Sequence, residues 1–189
     1  METTEMENIM ETTEKVETKK IIKTFPKLLI ISNMRWGKDT FAEILRDNFG
    51  LRFTSSSQAA SDIFLYDKLK EKYGYKTSEE CFLDRVNHRA EWYDEICAYN
   101  LTDKSRLAKE ILKNGDCYVG MRDKPEVDDC KDQKIFDLVI WIDASKRLPP
   151  EPKDSCTVSE KDADIIIDNN GTLAEFEERV KKFGKVLTR

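Results

Sequence analysis

From Lys27 onward, short unbroken apolar runs alternate with longer stretches in which apolar residues recur at helical spacing. Leu28–Ile31, Cys117–Gly120 and Leu138–Ile142 lack the in-and-out alternation of a half-exposed strand, so each reads as a strand buried on both faces. Ile165–Ile167 reads as a shorter one. Phe41, Ile44 and Leu45 place an apolar stripe on a helix that reaches about Asn48, with Gly50 close to its stop. A short extended piece, Leu51–Thr54, precedes a helical stretch from about Gln58 to Lys72. Thr77 and Glu80 have capping-box spacing and open a helix that reaches about Asn100. Shorter helices are predicted over about Lys104–Lys113 and Glu126–Asp132. Leu148-Pro149-Pro150-Glu151-Pro152 is a proline-stiffened loop. After the turn Asn169-Asn170-Gly171, Thr172 and Glu175 cap the last helix. Strands alternating with helices predict an α/β fold with a mostly parallel sheet covered on both faces. Ligands then bind beyond the carboxyl ends of the strands.

Composition narrows the class. The 189 residues suit one domain, and 39% hydrophobic against 37% charged residues make a soluble chain with a very polar surface. A net charge of −5 argues against a general nucleic-acid binder. No apolar run reaches membrane-spanning length, and the Glu-rich N-terminus is no secretory signal. Cys81, Cys97, Cys117, Cys130 and Cys156 show no zinc spacing, and their odd number fits reduced thiols in a cytosol. Residues 1–24, rich in Glu and Thr, cannot bury enough apolar surface to offset chain entropy and are expected to be a disordered tail.

The segment Ser32-Asn33-Met34-Arg35-Trp36-Gly37-Lys38-Asp39-Thr40 links the first strand to the first helix. Strand, phosphate-sized loop ending in Gly-Lys, and helix are the order of a P-loop. Helix N-terminal N–H groups form an anion site, and a lysine there reaches nucleotide β- and γ-phosphates. Ser32 stands where the first glycine belongs, which requires it to keep a negative φ. Asp39 replaces the magnesium-binding hydroxyl and would hold Mg²⁺ directly or through water, with Thr40 offering a hydroxyl one position later.

Other clusters carry candidate chemistry. Arg85, Arg89 and Trp92 share one face of the long helix, and Asp84 and His88 form an i, i+4 pair beside them. Two guanidiniums next to an aromatic ring suit a phosphate and a flat base, although a solvated charged face with a core tryptophan reads equally well. Arg122 follows a strand end, and Asp143 ends a strand as a Walker-B-like carboxylate does. Lys146 and Arg147 precede the proline loop as a small lid.

These residues, with Ser55-Ser56-Ser57, Asp84–Trp92, Tyr118–Arg122, Trp141–Ser145, Asp162-Ala163-Asp164 and Asp168–Thr172, resemble the bacteriophage-type deoxynucleoside monophosphate kinases within the adenylate-kinase and dephospho-CoA-kinase group. The resemblance runs from about Lys27 to Val180. It implies a P-loop NTPase fold, three-layer α/β/α, over 25–189, with a monophosphate-binding helical region at about 55–100 and a lid at about 146–157. It implies transfer of the ATP γ-phosphoryl group to a deoxynucleoside monophosphate. Ser32, Asn33, Arg35, Trp36, Gly37, Lys38, Asp39 and Thr40 would hold ATP, and Asp39 and Asp143 would hold Mg²⁺. Ser55, Ser56, Arg85, His88, Arg89, Trp92 and Arg122 would hold the acceptor, with Lys38, Arg122 and Arg147 acting in the transfer. The partner is a small nucleotide, a homodimer is left open, and the location is the cytoplasm, that of the host if the chain is viral. Two alternatives stand beside this: a kinase of another phosphorylated metabolite or a modified DNA base, and a non-catalytic nucleotide-binding regulator.

Overall fold

The computed structural model describes residues 25–152 and 156–188. The expected tail at 1–24 lies outside the described residues, as do Lys153, Asp154 and Ser155 of the expected lid. The framework is an α/β fold around four parallel strands: β1 (Leu28–Ile31), β2 (Cys117–Val119), β3 (Leu138–Asp143) and β4 (Ile165–Asp168). Their order is β2-β1-β3-β4, with Leu28 opposite both Cys117 and Leu138, and Ile140 opposite Ile165. Because β2 and β3 lie on opposite sides of β1, the chain reverses its direction across the sheet there. A crevice opens at the carboxyl ends of β1 and β3, where parallel sheets of this order bind ligands.

Side chains of successive strand residues enter two separate cores. Leu29, Ile31, Tyr118, Val139 and Trp141 face one side, and Leu28, Ile30, Val119, Ile140 and Ile142 the other. The second face is closed by α1 (Lys38–Phe49) through Phe41 and Leu45 and by α8 (Leu173–Leu187) through Phe176 and Val180. The first is covered by α2 (Ser56–Ala60), α3 (Tyr66–Tyr73), α4 (Ser78–Asp84), α5 (Arg89–Tyr99), α6 (Arg106–Leu112) and α7 (Lys124–Asp132). Helices on both faces are compatible with three-layer α/β/α architecture. Among the described residues no helix is long and apolar enough to cross a membrane.

The caps form as their spacing predicts. Thr77 Oγ1 accepts from the Glu80 N–H at 3.1 Å, and Thr172 and Glu175 complete a reciprocal capping box. The extended piece 51–54 joins no ladder but runs beside the start of β2. There the Asp116 N–H donates to Arg52 O (2.9 Å), and the Arg52 N–H donates to Asp116 Oδ2 (2.8 Å). The helix expected over 58–72 is present, interrupted by a wider π-helical turn at Ser61–Leu65, where buried Ser61 donates its hydroxyl to Ser78 O at 2.8 Å.

One expectation is corrected. The helix predicted from Thr77 to about Asn100 is two helices, α4 and α5, separated by residues 85–88. Asp84 is the cause. Its carboxylate accepts from Tyr75 Oη (2.6 Å) and Asn87 Nδ2 (2.6 Å) and lies 3.0 Å from His88 Nε2. Its carbonyl accepts from the Asn87 N–H at 2.9 Å, closing a turn that local side-chain bonding favours over continued helix. Arg85 therefore lies past the end of α4 while Arg89 opens α5, and the two do not share one helical face with Trp92.

Candidate functional site

At the carboxyl end of β1 the chain turns through residues 32–37 into α1. Ser32 is buried and is not among the described non-glycine residues with positive φ, which are Arg35 (65°) and Lys134 (53°). The condition on its replacing a glycine is met. Gly37 is the N-cap of α1 at φ 102°, and a β-carbon there would come within 2.4 Å of Asn169 Nδ2. The first turn of α1, whose N–H groups are unpaired within the helix and which carries its positive dipole end, thus starts at the carboxyl end of β1.

The loop is gripped from both sides. Asn169 Nδ2 donates to Trp36 O at 2.8 Å. Trp36 Nε1 donates to Pro149 O at 3.3 Å, and its ring stands edge-on to Trp141 at 5.8 Å. The Glu151 N–H donates to Asn33 Oδ1 at 2.9 Å, and the Met34 N–H donates to Glu151 Oε2 at 2.6 Å.

Cationic side chains gather next to it. Lys38 is largely buried, with Nζ 3.1 Å from Asp39 Oδ2. Its stem crosses Gly120 at the end of β2, where the Ser56 hydroxyl also approaches. Gly120 has φ 94°. Arg122, just beyond, donates from Nη1 to Glu151 Oε1 at 2.6 Å. The Arg85 guanidinium stacks 3.9 Å over the Phe82 ring and donates to Phe82 O at 2.8 Å. Burial, and then the neighbouring Arg89, push its pKa below the usual arginine value, with Asp39 pulling the other way. Arg85 therefore feels the charges of both Arg89 and Asp39.

On the other side of the loop, Arg35, Gly37, Thr40, Arg147, Asn169 and Phe176 line much of a cavity of about 190 Å³. Arg147 Nε donates to Asn169 O at 2.7 Å. Asn170 ties the ends of β3 and β4, with Nδ2 donating to Asp143 Oδ2 (2.8 Å) and Asp168 Oδ1 (2.7 Å). Asp143 Oδ1 accepts from the Ser145 N–H at 3.0 Å. Burial would raise the Asp143 pKa, but these bonds from Ser145 and Asn170 hold it below the ordinary carboxylate value. A larger cavity of about 480 Å³, between 51–54 and α6, holds none of the candidate residues.

The structure thus brings together Ser32, Asn33, Gly37, Lys38, Ser56 and Arg122, sets Arg85 within the influence of Arg89 and Asp39, and groups Arg35, Thr40 and Arg147 about one cavity. Three candidates serve local packing and capping. Ser55 Oγ caps α2 by accepting from the Gln58 N–H at 3.2 Å. His88 pairs with Asp84 and lies 4.0 Å from the Tyr73 ring centroid. Trp92 is buried in the first core, its indole N–H without a partner among the described residues. Glu151 and Asn169, which hold the loop, and Asn170, which ties the ends of β3 and β4, were missed. The proline run and the Asn-Asn-Gly turn marked their segments, but nothing local marks contacts across the fold.

Among the described residues no group of three or more His, Cys, Asp or Glu side chains is placed to hold a metal ion. Mg²⁺ in phosphoryl-transfer sites takes one or two carboxylates and completes its shell with phosphate oxygens and water. Asp39 is exposed, with Oδ2 3.1 Å from Lys38 Nζ. No family model matches the chain, and no curated protein matches it significantly.

Proposed function

We propose that the protein is an ATP-dependent kinase of deoxynucleoside monophosphates. The observation that carries this reading is the convergence of Lys38, Ser56 and Arg122 beside the α1 N-terminus. There an anionic group, the Glu151 carboxylate, is already held between a loop N–H and a guanidinium. The donor set suits phosphates, being backbone N–H groups at a helix start, a lysine and forked guanidiniums.

In this reading the loop and Lys38 hold the donor's β- and γ-phosphates, and its nucleoside end extends toward the cavity lined by Arg35, Thr40 and Arg147. Arg85, Arg89 and Ser56 hold the acceptor's phosphate on the opposite side of Lys38. The acceptor oxygen is already a nucleophile, so no covalent intermediate and no strong base are required. Lys38 and Arg122 follow the negative charge as it moves from donor to acceptor, which is where pre-placed cations lower the barrier most. Asp39 would hold Mg²⁺, which would supply positive charge that offsets the charge of the donor phosphates. Arg147, on the lid side, closes toward the donor and excludes water that would hydrolyse it.

A second reading, a nucleotide sensor without turnover, draws on the same Glu151 contact, because the Met34 N–H is occupied by the protein's own carboxylate. An ADP-release assay with ATP, Mg²⁺ and each common deoxy- and ribonucleoside monophosphate separates the two. Release that depends on a particular monophosphate supports the kinase. ATP binding without release on any acceptor supports the sensor.

A further inference from the structure

We infer that Glu151 is a built-in competitor for the phosphate seat, an internal carboxylate that holds both the loop and Arg122 until a phosphoryl group displaces it. The inference rests on the phosphate-binding role assigned to the loop above and adds how that site is controlled.

Three observations carry it. First, the carboxylate bridges the two kinds of donor a phosphoryl group needs, with Oε2 on the Met34 N–H at 2.6 Å and Oε1 on Arg122 Nη1 at 2.6 Å. Second, this is no loose surface pair. The Glu151 side chain is 8% exposed against 39% for Arg122, so the carboxylate is the inserted partner. Third, its backbone is held to the same loop. The Glu151 N–H reaches Asn33 Oδ1, and Pro149 O receives the Trp36 indole N–H. Pro150 and Pro152 flank Glu151. A residue that precedes proline is confined to extended conformations, so the carboxylate is presented with little chain entropy left to lose.

A phosphate and this carboxylate exclude one another. The Met34 N–H has one hydrogen to give, and two anions within contact distance repel strongly in a partly buried cleft. Phosphate binding at the loop must therefore expel Glu151, which lowers the apparent affinity by the fraction of molecules in which the carboxylate is already out. Expulsion also releases Arg122. Loading the donor thus frees a guanidinium for the transfer, and the two halves of the site become ready together.

The test uses the full chain titrated with inorganic tripolyphosphate and with ATP, followed by calorimetry and by tryptophan fluorescence, since Trp36 lies in the loop and donates to Pro149 O, two residues from Glu151. Glu151→Gln removes the charge but keeps the shape. It is expected to bind both probes about tenfold more tightly than wild type, the scale of one charge-assisted contact. Lys38→Ala is expected to bind at least about tenfold more weakly. If Lys38→Ala weakens binding while Glu151→Gln binds equally or less well, Glu151 is no competitor and the nucleotide reading survives. If neither probe binds any variant, the nucleotide reading fails and this inference with it. Should Glu151→Gln fail to fold, Glu151→Asp, too short to bridge Met34 and Arg122 together, is expected to bind more tightly than wild type. Unchanged affinity there overturns the inference.

Discussion

Lys38 lies across Gly120 so closely that a β-carbon on Gly120 would come 3.2 Å from Lys38 Cε and 3.6 Å from Ser56 Oγ. Gly120 also holds φ 94°, a conformation that costs an L side chain about 1–2 kcal/mol. Gly120→Ala therefore strains the end of β2 and displaces Lys38, the lysine proposed to act on the transferred group. It is expected to lower the melting temperature by a few degrees and kcat/KM by at least about tenfold, because small misplacements of an aligned cation are costly. Thermal melts and ADP release check both arms. Unchanged turnover would remove Lys38 from the chemistry.

Burial and the neighbouring Arg89 lower the Arg85 pKa, and an anion between the two guanidiniums would relieve the repulsion. Arg89→Ala is expected to raise the acceptor KM about tenfold with a smaller change in kcat. Its melting temperature should match wild type within about a degree, since Arg89 is exposed. Added inorganic phosphate should stabilise wild type more than the variant. An unchanged acceptor KM would place the acceptor elsewhere.

Glu126 is a buried acid whose main partner is Asn100 Nδ2 at 2.7 Å. Burial raises its pKa, the Asn100 bond and Lys104 lower it, and Asp123 raises it further, for a net upward shift. The folded state thus binds the proton more tightly than the unfolded chain. This contribution to stability is present below the ordinary glutamate value of about 4.3 and is lost as pH rises through the folded pKa. Glu126→Gln keeps an acceptor for Asn100 without the charge. It is expected to stabilise the protein at pH 7.5 by roughly 1 kcal/mol, with the gain vanishing near pH 4. A loss at pH 7.5 would mean that the charge itself is used.

Much of the framework was legible because its signals are local. The β1 and β3 runs read as buried strands since both their faces are covered, and Thr77 and Thr172 read as caps since their partners lie three residues away. The break between α4 and α5 was missed although its Asp84–His88 pair was read. That pair also suits continuous helix, and the added bond from Tyr75 comes from outside the segment. The candidate site was legible as residue types along the loop and at strand ends, not as an arrangement. Asn33 meets Glu151 across 118 positions, Trp36 meets Pro149 across 113, and Asn169 meets Trp36 across 133. No periodicity or motif encodes such contacts. They exist only once the parallel sheet has brought its strand ends together.

The most direct test of the proposed reaction follows the phosphoryl group itself. ATP labelled in the γ-phosphate is incubated with Mg²⁺ and each monophosphate in turn, using wild type and Lys38→Ala. The expected result is label appearing in a deoxynucleoside diphosphate with wild type and at least about 100-fold more slowly with Lys38→Ala, since a cation aimed at the transferred group is lost. Label that stays in ATP or appears only as free phosphate, or equal rates for the two proteins, would contradict the assignment.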